Sequence, residues 1–222
     1  MPIEMERVGR VFGDRVLVRR LERPEKVGRF YIPDAYVKDK QKDQELWFGV
    51  IEKFGLDSRY SSAYDLHEGD IVGIDNMGSH SAGFEGDDRA MHVWVAEEFL
   101  VVKSLGRVEA FREGKECEGV GLKPIGPYAI VEPHPEETKR GGIVLPLSAQ
   151  VPSRTGKVLD VSVGEDKGGS RLRPLNINTG SDVIYGRFSG STAKFGDKVF
   201  LLVKEEDCIA ELEPVKETAN VA

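Results

Sequence analysis

The sequence predicts an all-β protein built as two tandem barrels, each carrying a long loop. Three observations predict it. Short runs rich in Val and Ile are separated by Gly, Asp, Ser and Pro; no stretch shows a convincing amphipathic helical period; and the order of elements occurs twice.

The runs are, in order, "RVLVRR" (15–20), "FGVIEKF" (48–54), "DIVGID" (70–75), "HVWVAEEFLVV" (92–102), "YAIVEP" (128–133), "GKVLDVSVG" (156–164), "DVIYGRF" (182–188) and "DKVFLLVKEEDCIAEL" (197–212). Branched side chains suit a pleated, half-buried surface, and the intervening residues supply turn chemistry. The best helical candidate, "RVEAFREGKEC" (107–117), is short and broken by Gly114, which assigns it to a linker.

The repeat is read by aligning the halves. Asp14-Arg15-Val16-Leu17-Val18 falls on Pro127-Tyr128-Ala129-Ile130-Val131. At the same spacing Gly28-Arg29-Phe30-Tyr31-Ile32-Pro33 falls on Gly141-Gly142-Ile143-Val144-Leu145-Pro146. Gly49-Val50-Ile51 then matches Gly156-Lys157-Val158, "EGDIVGI" (68–74) matches "TGSDVIY" (179–185), and Val95-Ala96-Glu97-Glu98 matches Val203-Lys204-Glu205-Glu206. The expected organisation is barrel one at 1–103, a linker at 104–121 and barrel two at 122–222.

Composition excludes several classes. Of 222 residues, 40% are hydrophobic and 31% charged, which describes a globular chain able to bury a core in each half. No apolar run is long enough to span a bilayer, and "MPIEMERVGR" lacks the apolar core of a signal peptide, so no membrane role and a cytoplasmic location are expected. A net charge of −7 argues against nucleic-acid binding, which depends on neutralising phosphates. Cys117 and Cys208 form no CxxC pattern and are expected to be reduced, structurally minor thiols.

No catalytic or metal-ligating set is found. His67, His80, His92 and His134 are scattered, with His134 between two prolines and His80 in a Ser-Gly turn. "GSHSAGFEGD" (78–87) and "SGSTAKFGDK" (189–198) lack the Gly-Lys-Ser/Thr ending of a P-loop and read as equivalent turns of the two repeats. Neither an enzyme nor a cofactor is expected.

The order of elements resembles the ten-kilodalton co-chaperonins, the GroES family, present as a tandem. "LKPIGPYAIVEPHPEETKRGGIVLP" (122–146) is similar to that family's opening strand and mobile loop, and "TGSDVIYGRF" (179–188) to its Gly-Asp-x-Val segment. The layout is similar to that of chloroplast double co-chaperonins, and phages encode divergent members. A barrel of this kind also occurs in medium-chain alcohol dehydrogenases, but the Gly-x-Gly-x-x-Gly nucleotide-binding element those enzymes need is missing here.

The resemblance implies a GroEL-type chaperonin as partner, with ATP bound by that partner, and a homo-oligomeric ring. It implies that the loop triplets insert into the chaperonin, so the candidate chaperonin-binding residues are Gly141, Gly142, Ile143, Val144, Leu145 and Pro146, with Phe30, Tyr31 and Ile32 in the first loop. It also makes "GEDKGGSRLRP" (164–174) and "GLDSRYSSAYD" (55–65) roof hairpins, with Gly168-Gly169 as a turn. The second loop is the expected main contact, because Arg29 replaces a glycine and Phe30, Tyr31 and Ile32 are bulkier. Residues 134–153 are expected to be mobile in the free protein, and 22–45 likewise. Two alternatives stand beside this reading. Ile143–Leu145 could be a buried edge strand, although three adjacent apolar residues face both sides of a strand. The chain could also be a structural or assembly protein, of a virus particle for example, that keeps the barrels without chaperonin binding.

Overall fold

Val16, Leu17 and Val18 are fully buried in strand β1 (Arg15–Arg20), the centre of the first barrel. The computed structural model describes residues 8–21, 26–27, 30–31, 46–75, 79–81, 92–106, 121–135, 139–140, 143–144, 154–167, 171–186, 189–195 and 198–212. The first half continues with β2 (Lys26–Val27), β3 (Phe30–Tyr31), β4 (Trp47–Phe54), a one-turn helix α1 (Tyr60–Ala63), β5 (Ile71–Ile74), β6 (Ser79–Ser81), β7 (His92–Ala96) and β8 (Leu100–Ser104). The second half contains β9 (Leu122–Pro124), β10 (Tyr128–Pro133), β11 (Lys139–Arg140), β12 (Ile143–Val144), β13 (Thr155–Val161), β14 (Asp182–Tyr185), β15 (Ser191–Phe195), β16 (Lys198–Lys204) and β17 (Cys208–Leu212).

The two main sheets are built alike. One runs β6-β7-β1-β4-β5-β8-β9, the other β15-β16-β10-β13-β14-β17, and each pair of neighbours is antiparallel. Even the irregularities repeat. The register shift between Leu17 and Val18 on β1 recurs between Ile130 and Val131 on β10, and that between Gly73 and Ile74 recurs between Ile184 and Tyr185. Gly13 and Gly126 both enter the first strand of their half through the left-handed region, with φ of 78° and 66°. Gly49 and Gly156 occupy matching close approaches: a Cβ there would lie 2.9 Å from the Arg19 carbonyl oxygen and 2.6 Å from that of Glu132. This is an all-β fold of two tandem barrels.

One sequence expectation changes in detail. The runs 92–102 and 197–212 were each expected as one strand, yet each is broken by a 3₁₀ turn, at Glu97–Phe99 and Glu205–Asp207, whose first glutamate is bonded to another element. β9, from the opening of the second repeat, extends the first sheet by pairing with β8, the closing strand of the first.

Each half has its own core. Val16, Val18, Ile51, Val72, Ile74, Val95 and Leu100 fill the first, while Ala129, Val131, Val158, Val183, Tyr185 and Val203 fill the second. A third apolar cluster joins them: Phe48, Val50, Ile71, Val101 and Val102 pack with Tyr128, Ile130, Ala193 and Leu202. Among the described residues, no helix is long and apolar enough to cross a membrane.

Candidate functional site

The loop triplets begin as short hairpins at matching positions. Lys26 and Val27 pair with Tyr31 and Phe30, and Lys139 and Arg140 pair with Val144 and Ile143. Each hairpin is a two-stranded sheet of its own, separate from both barrel sheets. Ile143 and Val144 are therefore strand residues that pair only with β11 among the described residues. Gly141, Gly142, Leu145, Pro146 and Ile32 lie outside the described residues, as do the turn Gly168-Gly169, Cys117 and most of the linker.

The roots of the two loops are held differently. At the first, the Leu21 N–H donates to the Phe48 carbonyl at 2.9 Å, and the Leu46 N–H donates to the Thr192 carbonyl of the other half at 3.0 Å. The Arg20 guanidinium stacks 5.2 Å from the Trp47 ring centroid, and Arg19 pairs with Glu52 at 2.6 Å. At the second root the His134 N–H donates to the Thr155 carbonyl at 2.9 Å, and His134 Nε2 lies 2.8 Å from Asp182 Oδ1. Leu46 and Leu21 thus tie the first root to the second barrel's packing, whereas the second is closed within its own half by the His134 backbone bond and the half-exposed His134–Asp182 pair.

The paired glutamates, visible in the sequence only as a repeat match, anchor the segments read as roof hairpins. Glu97, 6% exposed, accepts hydrogen bonds from Ser58 Oγ at 2.7 Å and from the N–H groups of Arg59 and Tyr60 at 3.0 and 3.1 Å. These are free donors at the start of α1, where a carboxylate is favoured. Its counterpart Glu205 accepts from the Asn176 N–H at 2.6 Å, from Asn176 Nδ2 at 2.7 Å, and from Arg173. Arg173 also holds Glu165 at 3.0 Å. Desolvation pushes the Glu205 pKa up, but the Asn176 and Arg173 hydrogen bonds outweigh it and hold the carboxyl below its ordinary value.

The halves meet at a continuous junction. Ile125, 1% exposed, inserts into the first barrel's core, and its N–H donates to the Val101 carbonyl at 2.9 Å. Tyr64 Oη donates to the Gly164 carbonyl at 2.9 Å, and Arg59 faces Asp166 at 3.6 Å, so the two roof segments touch. Tyr60 and Tyr64 meet edge to face with centroids 4.7 Å apart. Burial pushes the Tyr64 phenol up to about 12, and those of Tyr60 and Tyr128 upward as well, which keeps all three neutral.

The histidines are not gathered. His67 lies beside Asp65 and Asp70 on the surface, His134 beside Asp182, and His92 on β7. Among the described residues no group of three or more His, Cys, Asp or Glu could hold a metal ion.

The architecture is that of a tandem β-barrel protein with a short hairpin outside the barrel sheet in each half. The sequence profile described as Chaperonin 10 Kd subunit matches residues 121–212. The chain is 37% identical over 93 residues to the Co-chaperonin GroES of Pediococcus pentosaceus, covering 41% of this chain and 99% of that protein. It is 41% identical over 91 residues to that of Exiguobacterium sibiricum, covering 40% and 96%. It is also 33% identical over 93 residues to the 20 kDa chaperonin, chloroplastic, of Arabidopsis thaliana, covering 41% of this chain and 36% of that protein. The chain belongs to the chaperonin 10 kDa, or GroES, family of co-chaperonins, and this is not a family of catalytic enzymes. Its first half repeats the same sheet order outside the matched segment.

Proposed function

We propose that the protein is a co-chaperonin that docks on the rim of a GroEL-type chaperonin through its loop hairpins and caps the cavity during ATP-dependent folding. The observation that carries this reading is the β11–β12 hairpin, which stands outside both barrel sheets within the segment that matches the family. Nucleotide is bound and hydrolysed by the partner. Burial of Ile143, Val144 and Leu145 in an apolar groove would yield on the order of 1.5–3 kcal/mol each, reduced by the ordering of the loop. A single loop therefore binds weakly, and a closed ring of copies gains avidity by presenting several loops at once. With two barrels per chain, three chains give six positions and four give eight, and a seven-position ring would leave one repeat displaced. We assign the activity to the cytoplasm, with a plastid as the alternative raised by the chloroplastic relative.

The test is capture of the protein by a GroEL-type chaperonin with ATP. Capture should weaken strongly in Val144→Ser or Leu145→Ser and less in Tyr31→Ser. Equal losses at both loops would overturn the ranking, and undiminished capture by all three variants would remove the loops from the reading.

A further inference from the structure

The two loops spring from roots of different chemistry. The first leaves its barrel at Leu21 and returns at Leu46, and the repeat puts His134 and Ser153 at the matching positions of the second. Leu46 is 2% exposed and lies in the apolar cluster that holds Ala193 of β15 and Leu202 of β16, with half-buried Leu21 packed against the same cluster. The Leu46 N–H donates to the Thr192 carbonyl at 3.0 Å. That carbonyl belongs to β15, the end strand of the second sheet. One residue before it, Ser191 Oγ reaches Asp75 Oδ2, just past β5 of the first half, at 3.4 Å. At the other root the His134 bonds, to Thr155 and to Asp182, stay within the second half.

We propose that the second barrel positions the first loop: Leu21 and Leu46 seat its root on the β15 edge, and chaperonin engagement by the β2–β3 hairpin depends on that seat. This rests on the reading of the protein as a co-chaperonin whose loop hairpins dock on a chaperonin. Leucine side chains gain by burial against Ala193 and Leu202, whereas His and Ser in the same places would have polar groups to satisfy. A root fixed by folding has already lost freedom that docking would otherwise have to remove, so less ordering cost remains at binding. The seat thereby offsets a poorer triplet. Arg29 and the bulky Phe30, Tyr31 and Ile32 are carried on the apolar root, and the Gly-Gly-Ile-Val-Leu-Pro segment on the polar one. Because the seat belongs to the other barrel, docking of the first hairpin and closure of the barrel junction favour each other by the same factor in both directions.

The repeat itself supplies the test substitutions. Leu21→His and Leu46→Ser give the first loop the root residues of the second. Lys26 and Lys139 occupy matching places on the two hairpins, opposite Tyr31 and Val144 and outside both triplets. A photoreactive phenylalanine replaces one or the other in the full chain, and its cross-linking to a GroEL-type chaperonin with ATP is measured. In Leu21→His, cross-linking from position 26 should fall roughly three- to tenfold while that from position 139 holds at the parent level. Leu21 is only half-buried, so this variant keeps the fold; Leu46→Ser, at a buried position, is the more severe one. Amide exchange without chaperonin gives a second readout: the Leu46 N–H should exchange faster in Leu21→His than in the parent, and the His134 N–H at an unchanged rate.

Parent-level cross-linking from position 26 in both variants would remove the seat from loop docking and overturn the proposal. Equal losses from 26 and 139 would overturn it too, since they mark a general loss of stability rather than positioning of one loop. A parent that cross-links from 139 alone overturns the proposal and leaves the co-chaperonin reading standing. A parent that cross-links from neither position overturns both.

Discussion

Glu97 is enclosed by the donors it serves, the Ser58 hydroxyl and the backbone N–H groups of Arg59 and Tyr60, of which the Tyr60 N–H is buried and would otherwise lose this partner. Replacing it with Ala should destabilise the protein by about 2–3 kcal/mol, because an orphaned buried donor costs more than a made hydrogen bond contributes. Urea unfolding followed by circular dichroism measures it; a loss no larger than that of an exposed Glu98→Ala control would contradict the anchoring role. Glu205 adds a pH signature. Its folded pKa is depressed, so its stabilisation is present above the unfolded value near ~4.3 and is lost as pH falls through the folded value. Urea midpoints of the parent and Glu205→Gln should differ at neutral pH and converge in acid. Cys208 is the chemical opposite of a reactive thiol. Burial first, then the Asp207 and Glu205 carboxylates, push its pKa up to about 11. Site-resolved alkylation should leave it nearly unmodified at pH 8 in the native state and fully modified in urea; rapid native labelling would refute this.

Strands show what the amino-acid pattern made legible and what it hid. The alternation of β13, with Gly156 and Val158 buried and Lys157 and Leu159 exposed or partly so, marks a strand covered on one face. Its counterpart β4 begins "WFGVI", five residues in succession that are all buried. A continuous apolar run signals cover on both faces. One face is the first core and the other is the second half of the chain, seen in Phe48 and Val50 against Ala193 and Leu202. The repeat itself was legible from Gly49 and Gly156 and from the paired glutamates. What the glutamates touch was not, since Glu97 meets Tyr60 across the barrel, a long-range contact that local pattern does not encode. The loop hairpins were readable only as apolar triplets among polar residues. Phe48→Ala should cost about 3–5 kcal/mol, and Leu159→Ala on the outward face of β13 less than about 1 kcal/mol, by chemical denaturation. Similar losses at both positions would show that the second half does not cover β4.

At the scale of the molecule the two barrels are held together by more than the linker. Ile125 sits in the first core, β9 extends the first sheet, and Tyr64 and Arg59 reach the second roof segment. Cleavage at a protease site engineered within 107–120 should therefore leave the halves together in size-exclusion chromatography under native conditions. Two separate half-sized peaks would show that the junction cannot hold without the covalent connection.

The buried β8–β9 pairing also changes the mass action of any larger structure the protein builds. In a ring of the proposed kind, every second barrel-to-barrel contact would be this one, made within a chain at an effective concentration that dilution does not lower. Assembly of a given number of barrels then rises with only half the power of protein concentration that separate barrels would require. Such a ring would receive the two kinds of loop in a one-to-one ratio, whatever the cell's level of expression.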